Sequence, residues 1–369
     1  MIKTKLKVAI VSTSLATGGA ERFASLLSKM LTKDEVADVH NIIINDAVDF
    51  DYQGKLYNLG KAAKSKFSIF KKIEKGFLLY RYLKENNIEL IIDNRSRNHF
   101  VRELIANRIY GKRKTWYMIH SFNLRNYFPA TDFLSKKLYQ DSDKLICVSK
   151  EIENSVIDKF KFTNTITIYN PFEIPDTATN EIDRSEKFIL FFGRLEEKVK
   201  NFSLMLDAFY ASEIYNHGYS LYILGKGPDL DFIQKKTEDL KLEEFIKIIP
   251  SHRNPFEYVS KAKFTILTSR FEGFPMSVIE SLAMETPVVS VDCHSGPREI
   301  IKSEYNGLLV ENHNVEVLSE ALKRMINDKL LYQFCKKNAS ESVAHLNLEA
   351  VSKEWMHLLK TEKLYDNKQ

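Results

Sequence analysis

The sequence predicts an α/β fold of two domains, each with a parallel sheet covered by helices. Short apolar runs alternate with amphipathic helical patterns from a first strand at residues 7–14 to a last helix at residues 347–363. Such alternation is typical of parallel strands joined by crossover helices. The length of 369 residues suits two domains of roughly 100–200 residues each.

Strand patterns recur in both halves of the chain. In the first half we expect further strands at residues 39–45, 89–94, 116–120, 144–149 and 165–170. In the second half we expect them at residues 188–192, 221–224, 246–250, 264–268 and 288–291. Between the halves, residues 176–186 (DTATNEIDRSE) are polar and lack periodicity, as a linker does. We therefore place one domain at 1–171, a second at 172–346, and a last helical segment at 347–369.

The composition is that of a soluble globular protein, with 44% hydrophobic and 28% charged residues. Cys147, Cys293 and Cys335 are scattered, which argues against structural zinc or disulfides and for a reducing compartment. We find no signal peptide and no apolar run of about 18 residues. The sequence therefore predicts a cytoplasmic protein.

The net charge of +5 hides an asymmetry between the halves. Residues 1–171 contain 29 basic and 18 acidic residues, whereas the remainder contains 25 and 31. Within the basic half, Phe70, Ile73, Phe77 and Tyr80 follow helical spacing inside a lysine-rich segment, residues 61–84. This pattern fits an ordinary crossover helix with a solvated lysine face, and it equally fits docking on anionic lipid.

Three candidate sites follow strands of the first half. Gly18 and Gly19 stand at a strand-to-helix turn, where backbone amides can approach an anion, although a tight turn alone explains them and G-x-G-x-x-G is absent. Arg95 and Arg97 follow the strand at 89–94 and suit either an acceptor phosphate or a helix cap with exposed arginines. His120 closes the strand at 116–120.

The second half contains a stretch, residues 271–292, on which the functional argument depends. Glu272 lies in a loop and Glu280 about a turn and a half inside the following helix, for which Pro275 suits the first position. The free amides of Met276 and Ser277 suit a phosphate, and the carboxylates suit vicinal hydroxyls. A solvated helix start with Glu as dipole partner is the simpler alternative.

These residues resemble the motifs of retaining glycosyltransferases of family GT4. Glu272 and Glu280, with Gly273 and Phe274 between them, resemble the E-x7-E motif, and residues 18–22 (GGAER) resemble the family's glycine loop. The stretch from Arg194 to Lys200 resembles its G-R-L…K motif, although the family usually has glycine at Asn201 and often where Pro275 stands. The resemblance runs along nearly the whole chain, and residues 306–310 resemble the family's final strand.

The resemblance implies a GT-B fold, with two Rossmann-like domains facing across a cleft and a C-terminal helix crossing back to the first domain. The first domain would bind the acceptor and the second the nucleotide-sugar. The implied donor-site residues are Gly18, Gly19, Arg194, Lys200, Phe274, Met276, Ser277 and Glu280. The implied catalytic residues are Glu272 and His120 at the transferred sugar, where His120 would be a sugar contact and a proton-transfer group. Arg194 and Lys200 would hold the donor diphosphate, and Glu280 the ribose.

The expected reaction is metal-independent transfer of a sugar with retention, from a UDP-sugar by preference. Cations and helix amides can offset the leaving diphosphate, and the D-x-D letters at Asp141 and Asp143 precede a strand away from the expected site, so we expect no cofactor. Expected partners are the nucleotide-sugar and a glycan or polyprenyl-diphosphate-linked acceptor of bacterial surface polysaccharide synthesis, with peripheral contact to anionic membrane. The alternatives are a catalytically silent nucleotide-binding subunit, another GT-B enzyme such as a nucleotide-sugar epimerase or a phosphorylase, and a nucleic-acid-binding protein. The basic first half favours the last of these, but this sequence lacks the interleaved aromatic and basic residues typical of nucleic-acid binding.

Overall fold

The computed structural model describes residues 5–16, 18–129, 131–174, 186–250, 254–362 and 364. The chain forms two compact units, residues 1–171 with 348–369, and residues 172–347. Most of the predicted linker, residues 176–185, lies outside the described residues. The predicted class, α/β with parallel sheets, is confirmed in both units.

The first unit is built on a seven-stranded parallel sheet of order β3-β2-β1-β4-β5-β6-β7. Its strands are β1 Leu6–Ser12, β2 Ala37–Ile43, β3 Lys55–Asn58, β4 Leu90–Asp93, β5 Lys114–Ile119, β6 Lys144–Cys147 and β7 Thr165–Thr167. Its first helices are α1 Gly19–Thr32, α2 Leu59–Ala62, α3 Ser68–Glu85, α4 Phe100–Tyr110, α5 Asp132–Tyr139 and α6 Lys150–Phe160. Because β1 has β2 on one side and β4 on the other, the strand order reverses at the carboxyl ends of β1 and β4, where α/β folds bind ligands.

The second unit has a six-stranded parallel sheet of order β10-β9-β8-β11-β12-β13. Its strands are β8 Lys187–Arg194, β9 Tyr219–Lys226, β10 Ile246–Pro250, β11 Thr265–Leu267, β12 Val288–Val291 and β13 Gly307–Val310. Its helices are α7 Glu197–Lys200, α8 Phe202–Ser212, α9 Leu230–Asp239, α10 Phe256–Lys261, α11 Met276–Ala283, α12 Pro297–Ile300, α13 Val315–Asn327 and α14 Lys329–Val343. Here the order reverses between β8 and β11.

The last helix, α15 Leu348–Thr361, completes the core of the first unit. Its Trp355 is fully buried, with ring centroids 6.1 Å from those of both Phe23 on α1 and Trp116 on β5. Large aromatic side chains stabilise a core by the apolar area they remove from water. The predicted last helix therefore belongs to the first unit.

The structure shortens several predicted strands and adds one. β4 ends at Asp93 and β5 at Ile119, so Asn94 and His120 lie just beyond the sheet edge instead of closing their strands. The added strand, β3, is a short, mostly half-buried edge strand without the apolar alternation that predicts strands. α11 begins at Met276, one residue later than predicted, and Pro275 precedes it as the N-cap.

Candidate functional site

The candidate site of the second unit gathers at the carboxyl ends of β8 and β11, where the strand order reverses. Arg194 is the last residue of β8, and its side chain is 67% exposed beside Glu196, with 3.2 Å between Nε and Oε2. Lys200 ends α7, and Glu272 follows β11 by five residues. The structure thus brings three predicted donor-site residues to one edge of the sheet, as ligand sites in α/β folds require.

Lys200 and Glu272 form one ion pair, with 2.6 Å between Nζ and Oε1. Their side chains are only 16% and 12% exposed, and Ser269 Oγ donates to the same Oε1 at 2.5 Å. The family resemblance implies separate partners for the two residues, the diphosphate for Lys200 and the transferred sugar for Glu272. In the structure each charge is the other's partner, which keeps a largely buried carboxylate and a largely buried ammonium compensated.

The loop that carries Glu272 is hydrogen-bonded to residues 294–296. Glu272 N donates to His294 O at 3.0 Å, and Ser295 Oγ donates to Gly273 O at 2.6 Å. Gly296 has φ +95°, and a Cβ there would lie 2.4 Å from Pro275 Cδ. Only glycine fits that close approach, so the position of the loop depends on this turn.

α11 presents its first turn to the same edge of the sheet. Met276 and Ser277 are its first two residues, and the first amides of a helix have no partner within it. Glu280 lies one turn further in and is 5% exposed, and Phe274 before the helix is also 5% exposed. Anions are stabilised at such a helix end.

Asn201 stands after Lys200, where the family usually has glycine. Its φ of 54° and ψ of 56° are left-handed, a conformation for which glycine is best and asparagine the next most tolerant residue. The buried Asn201 links α7 to α8, and Thr268 Oγ1 donates to Lys200 O at 2.8 Å. The local backbone is therefore the one that a glycine would give.

In the first unit, Gly18 and Gly19 form the turn between β1 and α1. Gly18 has φ +142°, and a Cβ there would lie 2.4 Å from Glu21 Oε2. Its carbonyl accepts from Arg22 N at 3.0 Å, and Gly19 begins the helix. The first turn of α1 therefore faces the reversal point of this sheet, where its amides can meet an anion.

His120 lies beside Asn94 at the same edge of that sheet. Its Nε2 is 2.5 Å from Asn94 Oδ1, and its ring is 5.1 Å from that of Phe23. Desolvation, with the Arg97 cation nearby, lowers the pKa of His120 to about 3. The half-buried imidazole is therefore neutral at neutral pH.

The structure corrects the assignment of Arg95 and Arg97 to an acceptor phosphate. Arg97 is fully buried and donates to the carbonyls of Asp93, Arg95 and Met118. Arg95 is 11% exposed and bonds the carboxylates of Asp93 at 2.6 Å and Glu103 at 3.1 Å. Neither guanidinium can reach an acceptor while it compensates these buried groups.

A buried charge cluster therefore lies where the sequence suggested exposed arginines. Burial raises the pKa of Asp93, but the guanidinium groups of Arg95 and Arg97 outweigh it and leave the pKa below its ordinary value. Tyr110 donates to the same carboxylate at 2.9 Å. The carboxylate of Asp143, in the discounted D-x-D, accepts the Thr115 amide at 2.7 Å.

Sequence reasoning missed Asn94, Ser295 and Gly296. The only signal for Asn94 was its place at a strand end, which it shares with many structural residues. Ser295 and Gly296 stood in the motif SGPREI at residues 295–300, but their contact with the Glu272 loop depends on two chain segments meeting in space.

Sequence comparison relates the chain to glycosyltransferases. The sequence profile of the family described as "Glycosyl transferases group 1" matches residues 175–342. The N-acetylgalactosamine-N,N'-diacetylbacillosaminyl-diphospho-undecaprenol 4-alpha-N-acetylgalactosaminyltransferase of Campylobacter jejuni is 30% identical over 355 residues, which cover 90% of this chain and 93% of that protein. The amylovoran biosynthesis glycosyltransferase AmsD of Erwinia amylovora is 24% identical over 349 residues, with 93% and 96% covered.

Solved structures agree with the fold. TarM from S. aureus, crystallised with UDP, has a TM-score of 0.78 at 16% identity and covers 96% of this chain and 99% of its own. Anabaena HepE with UDP-glucose has a TM-score of 0.78 at 15% identity and covers 96% and 100%. These likenesses confirm the predicted GT-B fold. In the described parts of the chain, each helix is too short or too polar to cross a bilayer.

Proposed function

The chain belongs to the glycosyl transferases group 1 family, and from that premise we propose that it transfers a sugar, from a UDP-sugar by preference, to a glycan or lipid-linked acceptor in bacterial surface polysaccharide synthesis. The observation that carries the proposal is the cluster of Arg194, Lys200, Glu272 and the start of α11 at one reversal point. It combines cations and amides for a diphosphate with carboxylates for hydroxyls.

The donor would lie along this cluster in a fixed order. Arg194 binds two diphosphate oxygens with its planar fork, and Lys200 adds a point charge. Glu280 accepts from the ribose hydroxyls and Glu272 from those of the transferred sugar. The preference for UDP rests on TarM and HepE, whose crystal structures contain UDP or UDP-glucose.

Donor binding would then exchange the partners of the Lys200–Glu272 pair. A diphosphate offers Lys200 a stronger partner than one carboxylate oxygen at 2.6 Å. Glu272, released from the ammonium, becomes an acceptor for sugar hydroxyls. The pair thus keeps both charges compensated before the donor arrives, and the exchange gives each residue the partner that the sequence analysis assigned to it.

We infer a metal-independent reaction with retention of configuration. As the bond from the anomeric carbon to the diphosphate breaks, the leaving charge is offset by the two cations and the amides of Met276 and Ser277. The acceptor hydroxyl attacks from the leaving-group face, and its proton passes to the departing phosphate oxygen. No enzymic nucleophile is needed, so Glu272 and Glu280 are binding groups.

A thermal-shift screen tests the donor proposal. We expect stabilisation by UDP-sugars and not by GDP-, ADP- or CMP-sugars, unchanged by EDTA. A ligand present at 100 times its Kd adds about 2.7 kcal/mol to the free energy of unfolding. Loss of stabilisation in EDTA would refute metal independence, and no response to any nucleotide-sugar would refute the donor site. Glu244→Ala, which changes an exposed carboxylate of the same unit, is the control variant and should be stabilised by UDP-sugars as much as the wild type.

We also propose a peripheral contact with anionic membrane through α3, α4 and α5. On α3 the predicted apolar stripe is exposed: Phe70 is 62% exposed, Ile73 64% and Phe77 62%. An unpartnered stripe of this size is uncommon on a soluble protein. α3 buries Leu79 and Leu83, so the exposed stripe is a second apolar face that the fold leaves uncovered.

The stripe continues on the next two helices. Val101 and Ile105 on α4 are 67% and 53% exposed, and Phe133 on α5 is 75% exposed. Gly76 of α3 faces Ile109 of α4, because a Cβ at Gly76 would lie 3.4 Å from Ile109 Cδ1. The exposed residues of α3 and α4 therefore flank a common contact line.

Lysines around the stripe favour an anionic bilayer as the surface that this face binds. Exposed lysines are Lys61, Lys64, Lys66, Lys72 and Lys84, and each one near an anionic surface contributes about 1 kcal/mol. Lys75, in the same lysine-rich segment, instead donates to Ile44 O at 2.6 Å and stabilises the fold.

Vesicle flotation tests the membrane contact. We expect binding to vesicles with 30% phosphatidylglycerol and little binding to pure phosphatidylcholine. Replacing Phe70, Ile73 and Phe77 by serine should abolish binding, whereas Leu330→Ser with Phe334→Ser, exposed apolar residues of the second unit, should not. A wild-type protein that ignores anionic vesicles, or that dimerises through this face in sedimentation, would refute the proposal.

A further inference from the structure

Asn94 connects three parts of the first unit at the point where its strand order reverses. It follows β4 directly and is 4% exposed. Its Nδ2 donates to Ala20 O in the first turn of α1 at 2.8 Å, and its Oδ1 lies 2.5 Å from His120 Nε2. Its own amide donates to Val11 O at 2.8 Å. The side chain is therefore fixed at both ends.

This geometry determines which nitrogen of His120 carries the proton. Because Nδ2 of Asn94 donates to a carbonyl, the amide oxygen must face the imidazole, and Nε2 must be the donor. In a neutral ring the other nitrogen, Nδ1, is then an acceptor. Among the described residues Nδ1 has no hydrogen-bond partner.

We propose that Asn94 is a positioning residue that binds His120 through Nε2 and so presents Nδ1 as an acceptor for a hydroxyl of the transferred sugar. The inference rests on the proposed function, in which His120 contacts that sugar. It assigns His120 a hydrogen-bond acceptor role in place of proton transfer. Because the same amide holds the first turn of α1, Asn94 also fixes the turn at Gly18 and Gly19 proposed for the diphosphate.

The surroundings of the ring favour this neutral state. Phe23 and Tyr127 pack around it with centroids 5.1 and 6.5 Å away. The cation of Arg97 disfavours a positive charge on the imidazole and so lowers the pKa of His120. The carboxylate of Glu21 on α1 contributes to the raised pKa of the neighbouring Tyr127 hydroxyl, which stays neutral. Asn94 supplies a neutral partner, so it fixes orientation without stabilising an imidazolium.

Nitrogen-15 NMR of the histidine-labelled full-length protein tests the arrangement. The chain has nine histidines, and His120→Gln identifies the signal. In the wild type we expect a protonated Nε2, an unprotonated Nδ1 and no titration between pH 5 and 8. Asn94→Asp, which keeps the oxygen but adds a charge, should raise the pKa of His120 by about 1–3 units.

Activity separates positioning from a purely structural role. Asn94→Ala should lower kcat/KM by about fivefold or more, whereas the control Asn123→Ala, in the loop after β5, should leave it unchanged. If Asn94→Ala fails to fold, Asn94→Asp still decides through the NMR titration. A wild-type His120 that titrates near pH 6.5, or that ignores Asn94→Asp, would overturn the proposal. A fixed Nε2–H with full activity in His120→Gln would overturn the sugar contact alone.

Discussion

Replacing Arg97 by methionine should destabilise the first unit without acting on the acceptor. The guanidinium is fully buried and donates to three carbonyl oxygens at 2.8–3.1 Å. It also lies 4.9 Å from the ring centroid of Tyr117 and 5.4 Å from that of Tyr127. Methionine fills much of the aliphatic volume but supplies no donor.

The magnitude follows from these contacts. Hydrogen bonds from a charged donor contribute about 1.5–3 kcal/mol each, and the cost of desolvating the cation offsets part of that gain. Removing one side of a buried ionic cluster typically costs about 3–5 kcal/mol. We expect a loss of that size in the free energy of unfolding, a large share of the roughly 5–15 kcal/mol of a typical domain.

Tryptophan fluorescence in urea measures this loss in the relevant unit. The two tryptophans of the chain, Trp116 and Trp355, are both buried in the first unit. At an m-value of about 2 kcal/mol/M, the urea midpoint should fall by about 2 M. Arg108→Met, an exposed arginine on α4, is the matched control and should change stability by less than about 0.5 kcal/mol.

One result would refute the reasoning. If Arg97→Met unfolded at the same urea concentration as Arg108→Met but lost acceptor affinity, Arg97 would be an acceptor contact, and the buried cluster would be wrong.

Four further predictions concern both units. Glu280→Ala should weaken UDP-sugar binding about tenfold or more in calorimetry, and an unchanged Kd would contradict the ribose contact. Gly296→Ala, with φ +95° and a Cβ 2.4 Å from Pro275 Cδ, should lower both Tm and donor affinity; a variant with wild-type Tm and affinity would show that the turn is dispensable. Asn201→Val should cost about 1–2 kcal/mol at its left-handed backbone while Asn201→Gly stays near wild type, and equal Tm values would argue against that backbone. Because the pKa of Asp93 is depressed, its stabilisation is present above pH 3.8 and is lost as pH falls through the lower folded pKa; an acid unfolding curve by fluorescence that Asp93→Asn leaves unchanged would contradict this.

The fold was predictable because the alternation of strands and helices extends through both halves of the chain. The second-unit residues were also predictable as a group, since Arg194, Lys200 and Glu272 each stand just after a strand or a short helix. Parallel strands end at one edge, so residues in such places converge. The Lys200–Glu272 pair was not predictable, because it depends on which of several nearby charges lie within 3 Å in space.

Arg97 shows why the other assignments failed. A run of basic residues after a strand looks the same in sequence whether its side chains point outward or enter the core. The distinction depends on Asp93 and on Tyr117 and Tyr127, whose rings pack on the guanidinium although they lie 20 and 30 residues further along the chain. Asn94 is similar, since its partners Ala20 and His120 are separated from it by 74 and 26 residues.

The discontinuity of the first unit sets an order of assembly during synthesis. Residues 172–347 are contiguous and can acquire their sheet as soon as they leave the ribosome. Residues 1–171 are made earlier but still lack α15. The core around Phe23 and Trp116 therefore stays incompletely packed until Trp355 has been synthesised. The half of the protein made first is therefore the half completed last, and a chain cut before residue 348 releases a finished second unit beside an unfinished first one.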